Sequence, residues 1–428
     1  MTPIFPPWMK RAMEIKKSLS FALREEISKY LFMPMQSGGM EIFMNNRQWM
    51  QRVLSHEKGI EAPQWWMGFT NDDHMKKLIP AQYHYDGYDY YSKDGEYSFG
   101  PMGEERLKKA VAFNKYIDRI GFAVGFGANA AYGHRGPGEF SDRVIEKMDN
   151  GFVVEHETGA KKEVRTNPHN VHTFYYPVTD MASLEALQLP NPSDPKRYEG
   201  FAADTKWAKD NGEWTIGYVN GFFSGVHYFV RDYAEFMMDM LCEPEFAAAC
   251  IKKVGEWNLA AAQKLCESGV DCIGLCDDLG SGQSMLISPE LYREMILPWH
   301  TKLCQLVHSF GAYVHLHSHG AIMPILSDLI DAGFDILNPV DPDDKMPLDE
   351  VLDMSKGKMV LCGGIDKHFF DWSDDEKKAF LTDTVATGRK AGGFILMDSG
   401  GIPINVTKQG FDGFLRMSRA LRFEGRIF

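Results

Sequence analysis

Short apolar runs alternate with amphipathic stretches along the second half of the chain. Each run has four to six apolar residues, lies close after a glycine and ends in polar residues. This length is typical of strands buried on both faces of a parallel sheet, and the glycines suit the turns that end helices. Five stretches show the pattern: ESGVDCIGLCDD, HSFGAYVHLHSHG, DAGFDILNPVD, KGKMVLCGGID and KAGGFILMDSGG.

The stretches between these runs predict helices that connect parallel strands. In SPELYREMILPWHTKLCQLVHSF, Ser288 is a suitable N-cap and Pro289 suits the first helical position. Three earlier apolar runs, in QWWMGF, IGFAVGFG and WTIGYVNGF, bring the predicted strands to eight. Eight strands alternating with helices predict an α/β fold, a (β/α)8 TIM barrel. A doubly wound open sheet is the alternative, but no strand is followed by the G-x-G-x-x-G spacing of nucleotide-binding sheets.

Two segments depart from the barrel pattern. Residues 1–46 carry charges every three or four positions, which predicts an N-terminal helical extension. This helix would pack on the body of the protein or on a second subunit, so a homodimer stays open. Residues 47–428 form the predicted barrel domain, with an insertion at about 140–170. In the insertion, NGFVVEHETGAKKEVRTNP predicts a small polar hairpin with Gly159 in its turn.

The composition argues against several classes of protein. The formal net charge is −13 and no run is rich in Lys or Arg, so the chain lacks the clustered positive charge that nucleic acid requires. No window of about 18 apolar residues predicts a membrane span. The first residues lack the apolar core of a signal peptide. Seven cysteines without a C-x-x-C pair then predict reduced thiols in a cytoplasmic protein.

Polar and ionisable residues follow every predicted strand of the second half. In a (β/α)8 barrel the C-terminal ends of the strands form a rim, and the active site lies there. We therefore expect a functional site at this rim, with Asp277, Asp278, Asn338 and Asp366 as candidate catalytic residues. The other polar residues expected at the rim are Asn220, His317, His319, Asp341, His368, Asp398 and Ser399.

The stretch VHLHSHG places His315, His317 and His319 at a spacing of two. Residues two apart share one face of a strand, so His317 and His319 can direct two nitrogens at one tetrahedral metal ion. The pair predicts a metal site, and a hydrogen-bonding or substrate-binding pair is the alternative. His315 lies deeper in the strand and is expected to pack in the core or behind the site. The candidates for a third metal ligand are Asp277, Asp278, Cys362 and Asp398.

From about Arg47 onward the chain resembles the uroporphyrinogen decarboxylase superfamily, in the branch that contains corrinoid-dependent methyltransferases. The resemblance is carried by DDLGSGQSMLISPELYREMILPWHTKL, HLHSHGAIMPILSDLIDAGFDILNPV, LCGGID and PNPSDPKRYEG. It implies a (β/α)8 barrel, in agreement with the strand pattern. Methyltransferases of the superfamily hold zinc with a His-x-Cys pair at a strand end and a distant Cys in a Gly-rich turn. Here His317 takes the His position, His319 stands for the first Cys and Gly400 for the distant Cys.

The resemblance implies a metal-dependent methyltransferase that works with a corrinoid protein as its partner. Zinc would be bound by His317 and His319 with Asp398 as the oxygen ligand, or the metal would be absent. A carboxylate in place of thiolates makes a harder site, which favours an oxygen-bound methyl group such as that of a methoxylated compound. A tyrosine-rich stretch at 83–97, YHYDGYDYYSKDGEY, predicts a loop that packs on the protein or forms an interface. The alternative is an aromatic pocket, which would suit an aromatic substrate.

Two other functions stay open at this point. A decarboxylase of the parent type, without a cofactor, would use Asp277, Asp278 or His317 as a proton donor. A metal-free binding protein would use the same barrel without catalysis. The arginine-rich N-terminal motif of true uroporphyrinogen decarboxylases is missing, and this acidic chain shows no cation cluster for a substrate with many carboxylates. An amidohydrolase-like hydrolase also uses H-x-H, but normally on the first strand.

Overall fold

The computed structural model describes residues 44–65, 68–69, 72–84, 103–123, 143–166, 169–355 and 357–423. Residues 1–43 of the predicted N-terminal extension lie outside the described residues, as does the tyrosine-rich stretch from residue 85 onward. Within the described part of the chain, no helix combines the length and apolar character needed to cross a bilayer.

The described residues contain twelve strands and fourteen α-helices. The strands are β1 (Gln64–Trp65), β2 (Gly121–Ala123), β3 (Arg143–Met148), β4 (Gly151–Glu155), β5 (Lys161–Thr166), β6 (His169–Tyr175), β7 (Trp214–Asn220), β8 (Cys272–Cys276), β9 (Tyr313–His317), β10 (Ile336–Val340), β11 (Val360–Ile365) and β12 (Phe394–Asp398). The helices are α1 (Asn46–Leu54), α2 (Asp72–Leu78), α3 (Gly103–Ile117), α4 (Met181–Ala186), α5 (Phe201–Asp210), α6 (Ser224–Phe229), α7 (Tyr233–Cys242), α8 (Pro244–Glu267), α9 (Pro289–Leu291), α10 (Leu297–Ser309), α11 (Leu326–Ala332), α12 (Leu348–Ser355), α13 (Asp374–Ala391) and α14 (Lys408–Arg422).

Eight of these strands form one parallel sheet, which confirms the predicted (β/α)8 barrel. Their order is β1-β12-β11-β10-β9-β8-β7-β2, and every pair of neighbours runs parallel. The first and last strands of this order are joined as well, because the Ile120 amide donates a hydrogen bond to the Gln64 carbonyl at 2.9 Å. The eight apolar runs of the sequence coincide with these eight strands.

Successive side chains along each strand point to opposite faces of the sheet, so they belong to two different cores. On β9, Val314 and Leu316 pack among the apolar residues of the layer between sheet and helices. His315 points the other way, into the barrel interior, where its ring centroid lies 5.3 Å from that of Trp65. Because side chains two apart share a face, His317 also faces the interior, one layer nearer the rim. The apolar residues of the interior core are Met50, Val53, Ile60, Trp65, Ile120, Trp214, Ile216, Cys272, Ile336, Val360, Cys362, Ile395 and Met397.

The helix that follows β8 begins as its sequence predicts. Ser288 Oγ accepts a hydrogen bond from the Leu291 amide at 3.2 Å, and Pro289 occupies the first helical position. A π-helical turn, Tyr292–Ile296, then leads into α10. On the next helix, Gly333 ends α11 with a φ of 101°, a conformation that other residues rarely adopt. Short connections of this kind return the chain to the sheet and place the strand ends at one rim.

The predicted hairpin is part of a larger inserted sheet. Strands β3, β4, β5 and β6 form a four-stranded antiparallel sheet, in which the hairpin of β4 and β5 lies at the centre. Gly159 lies in its turn with a φ of 91°, as the sequence predicts. Gly151 is required because a Cβ atom there would lie 1.9 Å from the Val164 carbonyl oxygen. Phe152, Val154 and Val164 form a small core of their own.

Arg422 ties the last helix to the start of the barrel. The side chain is fully buried, and its Nη1 donates a hydrogen bond to the Ala62 carbonyl at 2.9 Å. Its Nε donates to Ser418 Oγ at 3.0 Å, and Nη2 forms an ion pair with Asp118. One guanidinium therefore links α14 to the segment before β1 and to the end of α3.

Replacing Arg422 with Met should lower the free energy of unfolding by about 2–3 kcal/mol, because it leaves Asp118 and a buried carbonyl without their partner. Urea denaturation followed by circular dichroism measures the change. The matched control is Arg416→Met, an exposed arginine on the same helix, which should change stability by less than about 0.5 kcal/mol. Equal losses in the two variants would contradict this role of Arg422.

Candidate functional site

His317 and His319 lie at the C-terminal end of β9, on the rim where the strand pattern places them. Their rings meet edge to face, with centroids 4.8 Å apart. His317 is the last residue of the strand and is in register with Cys276 of β8 and Asn338 of β10. Both histidine side chains are half-buried. The pair is therefore accessible from the rim and is held in place by its strand.

Asp278 brings a carboxylate to the histidine pair from the loop after β8. Its Oδ1 accepts a hydrogen bond from the His319 amide at 2.9 Å and lies 3.9 Å from His317 Nε2. The Asp278 side chain is 34% exposed. Among the described residues, no lysine or arginine forms an ion pair with it. Its negative charge is therefore not matched by a cation of the described chain.

Two glycines allow the loops after β8 and β9 to pack backbone against backbone. A Cβ atom on Gly320 would lie 2.1 Å from the Gly280 carbonyl carbon, and Gly320 has a φ of 91°. The Ala321 amide also donates to the Ser281 carbonyl at 2.8 Å. A larger residue at position 320 would separate the loops and strain the backbone. This contact fixes Asp278 beside His319.

Burial keeps the imidazoles of β9 neutral near neutral pH. It lowers the pKa of His317 to about 4, and the charge of Asp278 opposes this effect without reversing it. Burial likewise lowers the pKa of His315 to about 3. His315 is 2% exposed and is therefore enclosed in the barrel interior. His317 therefore presents an uncharged ring to the rim.

Asp277 is a buried anchor rather than an exposed acid. Its carboxylate is fully enclosed and accepts hydrogen bonds from the Phe222, Phe223 and Ser224 amides at 2.8–3.2 Å. His300 Nε2 lies 3.0 Å from its Oδ2. Burial raises the pKa of Asp277, but the bonds from His300 and the backbone amides outweigh it, and the net shift is downward. The geometry favours a structural role for this residue, because an ionised and fully bonded carboxylate is a poor proton donor.

The other predicted catalytic and metal-binding residues lie at strand ends, where each forms a hydrogen bond with a neighbouring group of the protein. Asn338 is buried, and its Nδ2 donates to Met397 Sδ at 3.4 Å. Asp366 Oδ1 accepts from the His368 amide at 2.7 Å. Asp398 is buried, and its Oδ2 accepts from the Gly401 amide at 2.6 Å. Of these predicted residues, the structure brings Asp278 and Asn338 together with the histidine pair.

The sequence model of the uroporphyrinogen decarboxylase (URO-D) family matches residues 153–420, which is more than half of the chain. The chain belongs to the uroporphyrinogen decarboxylase family. This confirms the resemblance seen in the sequence and places β9 and its histidines within the matched region. No curated protein matches the chain at a significant level.

One solved structure shows the same fold. A methyltransferase from Methanosarcina mazei shares 15% identity and a TM-score of 0.59, over 89% of this chain and 99% of that one. A D-psicose 3-epimerase from Clostridium cellulolyticum is less similar, with a TM-score of 0.33 and 11% identity over 54% of this chain and 83% of that one. A dihydropteroate synthase from Xanthomonas albilineans has a TM-score of 0.26 and 16% identity over 33% of this chain and 52% of that one. At these identities the comparison establishes the barrel fold and leaves the activity to the site.

The described residues do not fit the zinc site that the family resemblance implies. Two imidazoles are present, but the described residues contain no group of three or more His, Cys, Asp or Glu side chains arranged to hold a metal ion. Asp398, the predicted oxygen ligand, is instead bonded to the loop amide of Gly401. The carboxylate beside His317 is that of Asp278. The predicted set of His317, His319 and Asp398 is therefore not assembled.

Sequence reasoning missed the residues of α6 and α7 that lie near this site. His227 is buried, and its ring centroid lies 4.4 Å from that of Tyr228 and 5.0 Å from that of Tyr233. Burial lowers the pKa of His227 and raises the pKa of Tyr228, and the charge of Asp278 contributes to both pKa values. The available signal was the stretch GFFSGVHYFVRDY, which follows the end of β7 directly. Three residues, 221–223, separate the end of β7 from α6, and Asp277 accepts hydrogen bonds from the amides of Phe222, Phe223 and Ser224 at this junction.

Asp277→Asn should lower the free energy of unfolding by about 3 kcal/mol at pH 7, because the amide group cannot accept all the bonds of the carboxylate. The folded pKa of Asp277 lies below its ordinary value of 3.8, so its contribution is complete above that value and is lost as the pH falls through the folded pKa. Urea denaturation at several pH values should show that the free energy of unfolding differs by a constant amount between wild type and variant from pH 7 to about 5. The difference should be smaller below about pH 4. Asp353→Asn, an exposed control, should show no comparable difference; a difference that grows as the pH falls would contradict this role.

Zinc should not remain bound through the histidine pair, since two protein ligands without a third give weak binding. After incubation with equimolar zinc and desalting, we expect well under one zinc per chain in wild type and no change in His317→Ala. Elemental analysis by mass spectrometry measures this. One zinc per chain that is lost in both His317→Ala and His319→Ala would restore the predicted metal site.

Proposed function

We propose that this protein is a methyltransferase that moves a methyl group between a small methylated compound and the cobalt of a corrinoid protein. The observation that carries the proposal is the accessible pair of His317 and His319 with Asp278 at the rim. The fold supports it, because the barrel matches that of a methyltransferase over nearly the full length of both chains. The corrinoid would come from the partner protein, and the small compound would bind at the rim.

For methyl transfer, the main task of the protein is to position the two reactants. The carbon must lie in line between the nucleophile and the leaving atom, and holding reactants in this way supplies much of the rate. A reduced corrinoid supplies the nucleophile. His317 and His319 are fixed by their strand and by the contact between the Gly280 and Gly320 loops. Their rings form one wall of the site, in which His317 is neutral near neutral pH because burial lowers its pKa to about 4, and Asp278 gives that wall a negative charge.

The same contacts give less support to decarboxylation. Loss of carbon dioxide leaves a carbanion that an acid must protonate. Asp277 is enclosed and bonded to three amides, and the pKa of His317 lies well below neutrality. The rim also carries Asp278, Asp341 and Asp366, while Lys367 is held by Asp343 and Asp344 at 2.7 and 3.1 Å. An acidic rim disfavours a substrate with several carboxylates.

The test is methyl transfer to free cob(I)alamin, followed by the change in visible absorbance as methylcobalamin forms. We expect wild-type protein to catalyse transfer from at least one donor in a panel of methoxylated and methylammonium compounds. His317→Ala and His319→Ala should lower the rate by about 10²-fold, since each removes part of the wall that positions the donor. His172→Ala, an exposed histidine of the inserted sheet, is the control and should keep the wild-type rate.

Folded protein that transfers no methyl group from any donor would contradict the proposal. So would His317→Ala and His319→Ala variants that match wild type, because the reaction would then take place elsewhere.

A further inference from the structure

Two partly exposed tyrosines lie on α6 and α7, the helices that follow β7. Tyr228 and Tyr233 are 47% and 39% exposed, although tyrosine rings of this size usually bury most of their surface. Both pack edge to face against the His227 ring, with centroids 4.4 and 5.0 Å apart. These contacts fix the two tyrosines before any ligand arrives. Two rigid and partly exposed aromatic rings therefore flank the rim on the side of α6 and α7.

This aromatic pair is attached directly to the acidic side of the site. Asp277 binds the amides of Phe222, Phe223 and Ser224, which form the start of α6, and Asp278 is the next residue in the chain. Tyr228 lies one helical turn into α6, and burial, followed by the charge of Asp278, raises the pKa of its hydroxyl. The site thus combines aromatic rings with a carboxylate that forms no ion pair with a lysine or arginine of the described residues.

The histidine ring between the two tyrosines carries a buried nitrogen that has no partner among the described residues. His227 is 7% exposed, and its Nε2 has no hydrogen-bond partner among the described residues. Burial lowers the pKa of His227 to about 4, so the ring is neutral near neutral pH and adds no positive charge. A buried polar atom that is left unpaired in the protein is commonly paired by a ligand or an ordered water.

We propose that the methyl donor of this site is a quaternary ammonium compound, held by Asp278 as counter-ion and by the rings of Tyr228 and Tyr233. A carboxylate beside aromatic faces is the arrangement that recognises alkylated ammonium groups, because the ring faces carry negative potential. This inference rests on the proposed methyl transfer and names the substrate class. It differs from the methoxylated donor that the family resemblance favours.

The chemistry of the leaving group agrees with the residues present. When a quaternary ammonium gives up a methyl group, the carbon–nitrogen bond breaks and its electron pair stays on nitrogen, so a neutral tertiary amine departs. The electron pair of the partner's corrinoid forms the new bond to the methyl carbon. No proton and no metal ion is needed to stabilise the leaving group. A methoxylated donor instead releases an alkoxide or phenoxide, which requires an acid or a metal ion.

Binding and transfer test the inference separately. In calorimetric titrations of the full-length protein, choline should bind about tenfold or more tightly than 3,3-dimethylbutan-1-ol, its neutral isostere. Asp278→Asn should lower the affinity for choline about tenfold or more, and Tyr228→Leu by several-fold. Tyr228→Phe keeps the ring and should keep the affinity. Tyr175→Leu, which alters an exposed tyrosine of the inserted sheet, should bind as wild type does.

Equal binding of choline and its neutral isostere would overturn the inference, as would choline affinity that is unchanged in Asp278→Asn. Transfer to cob(I)alamin from methoxylated donors but not from choline or tetramethylammonium would also overturn it, while leaving the proposed methyl transfer intact. Selective choline binding without any methyl transfer would support the ammonium site and reject the proposed function.

Discussion

The buried carboxylate of Asp277 is the interaction on which the site depends. It accepts bonds from three consecutive amides at the start of α6 and lies against His300 of α10. One side chain therefore joins the loop after β7, the end of β8 and the helical layer. An unpaired carboxylate in this position would be strongly destabilising, whereas a fully bonded one holds its neighbours rigidly. Because Asp278 is the next residue in the chain, its position at the rim is fixed as well.

That rigidity has a consequence for the chemistry that the rim supports. His319 and Asp278 are held together by a backbone hydrogen bond, and His317 stands on the end of a strand. The described groups supply a negative charge, imidazole rings and tyrosine rings, and they do not assemble a set of three metal ligands. Such a site binds and orients a ligand better than it donates protons. Transfer of a methyl group from a donor with a neutral leaving group is a reaction that requires little more.

The barrel was predictable because its signals are local. Each buried strand needs a short apolar run, and each return to the sheet needs a turn, so glycines such as Gly333 mark the period of the fold. The position of His317 and His319 at the rim followed from the same pattern. Their surroundings did not follow, because they depend on contacts between distant residues. Asp277 and Asp278 are adjacent in sequence, but one is enclosed by the start of α6 and the other is exposed beside His319. The bond between Asp398 and the Gly401 amide is likewise visible only in the folded chain.

A crystal structure of the full-length protein with tetramethylammonium tests the central claim most directly. The account predicts density for the cation at the rim, within about 6 Å of the Tyr228 ring centroid and next to the Asp278 carboxylate. It also predicts that the density disappears in crystals of Asp278→Asn grown under the same conditions. A cation bound away from Asp278 and Tyr228, or density that persists unchanged in the variant, would contradict the account.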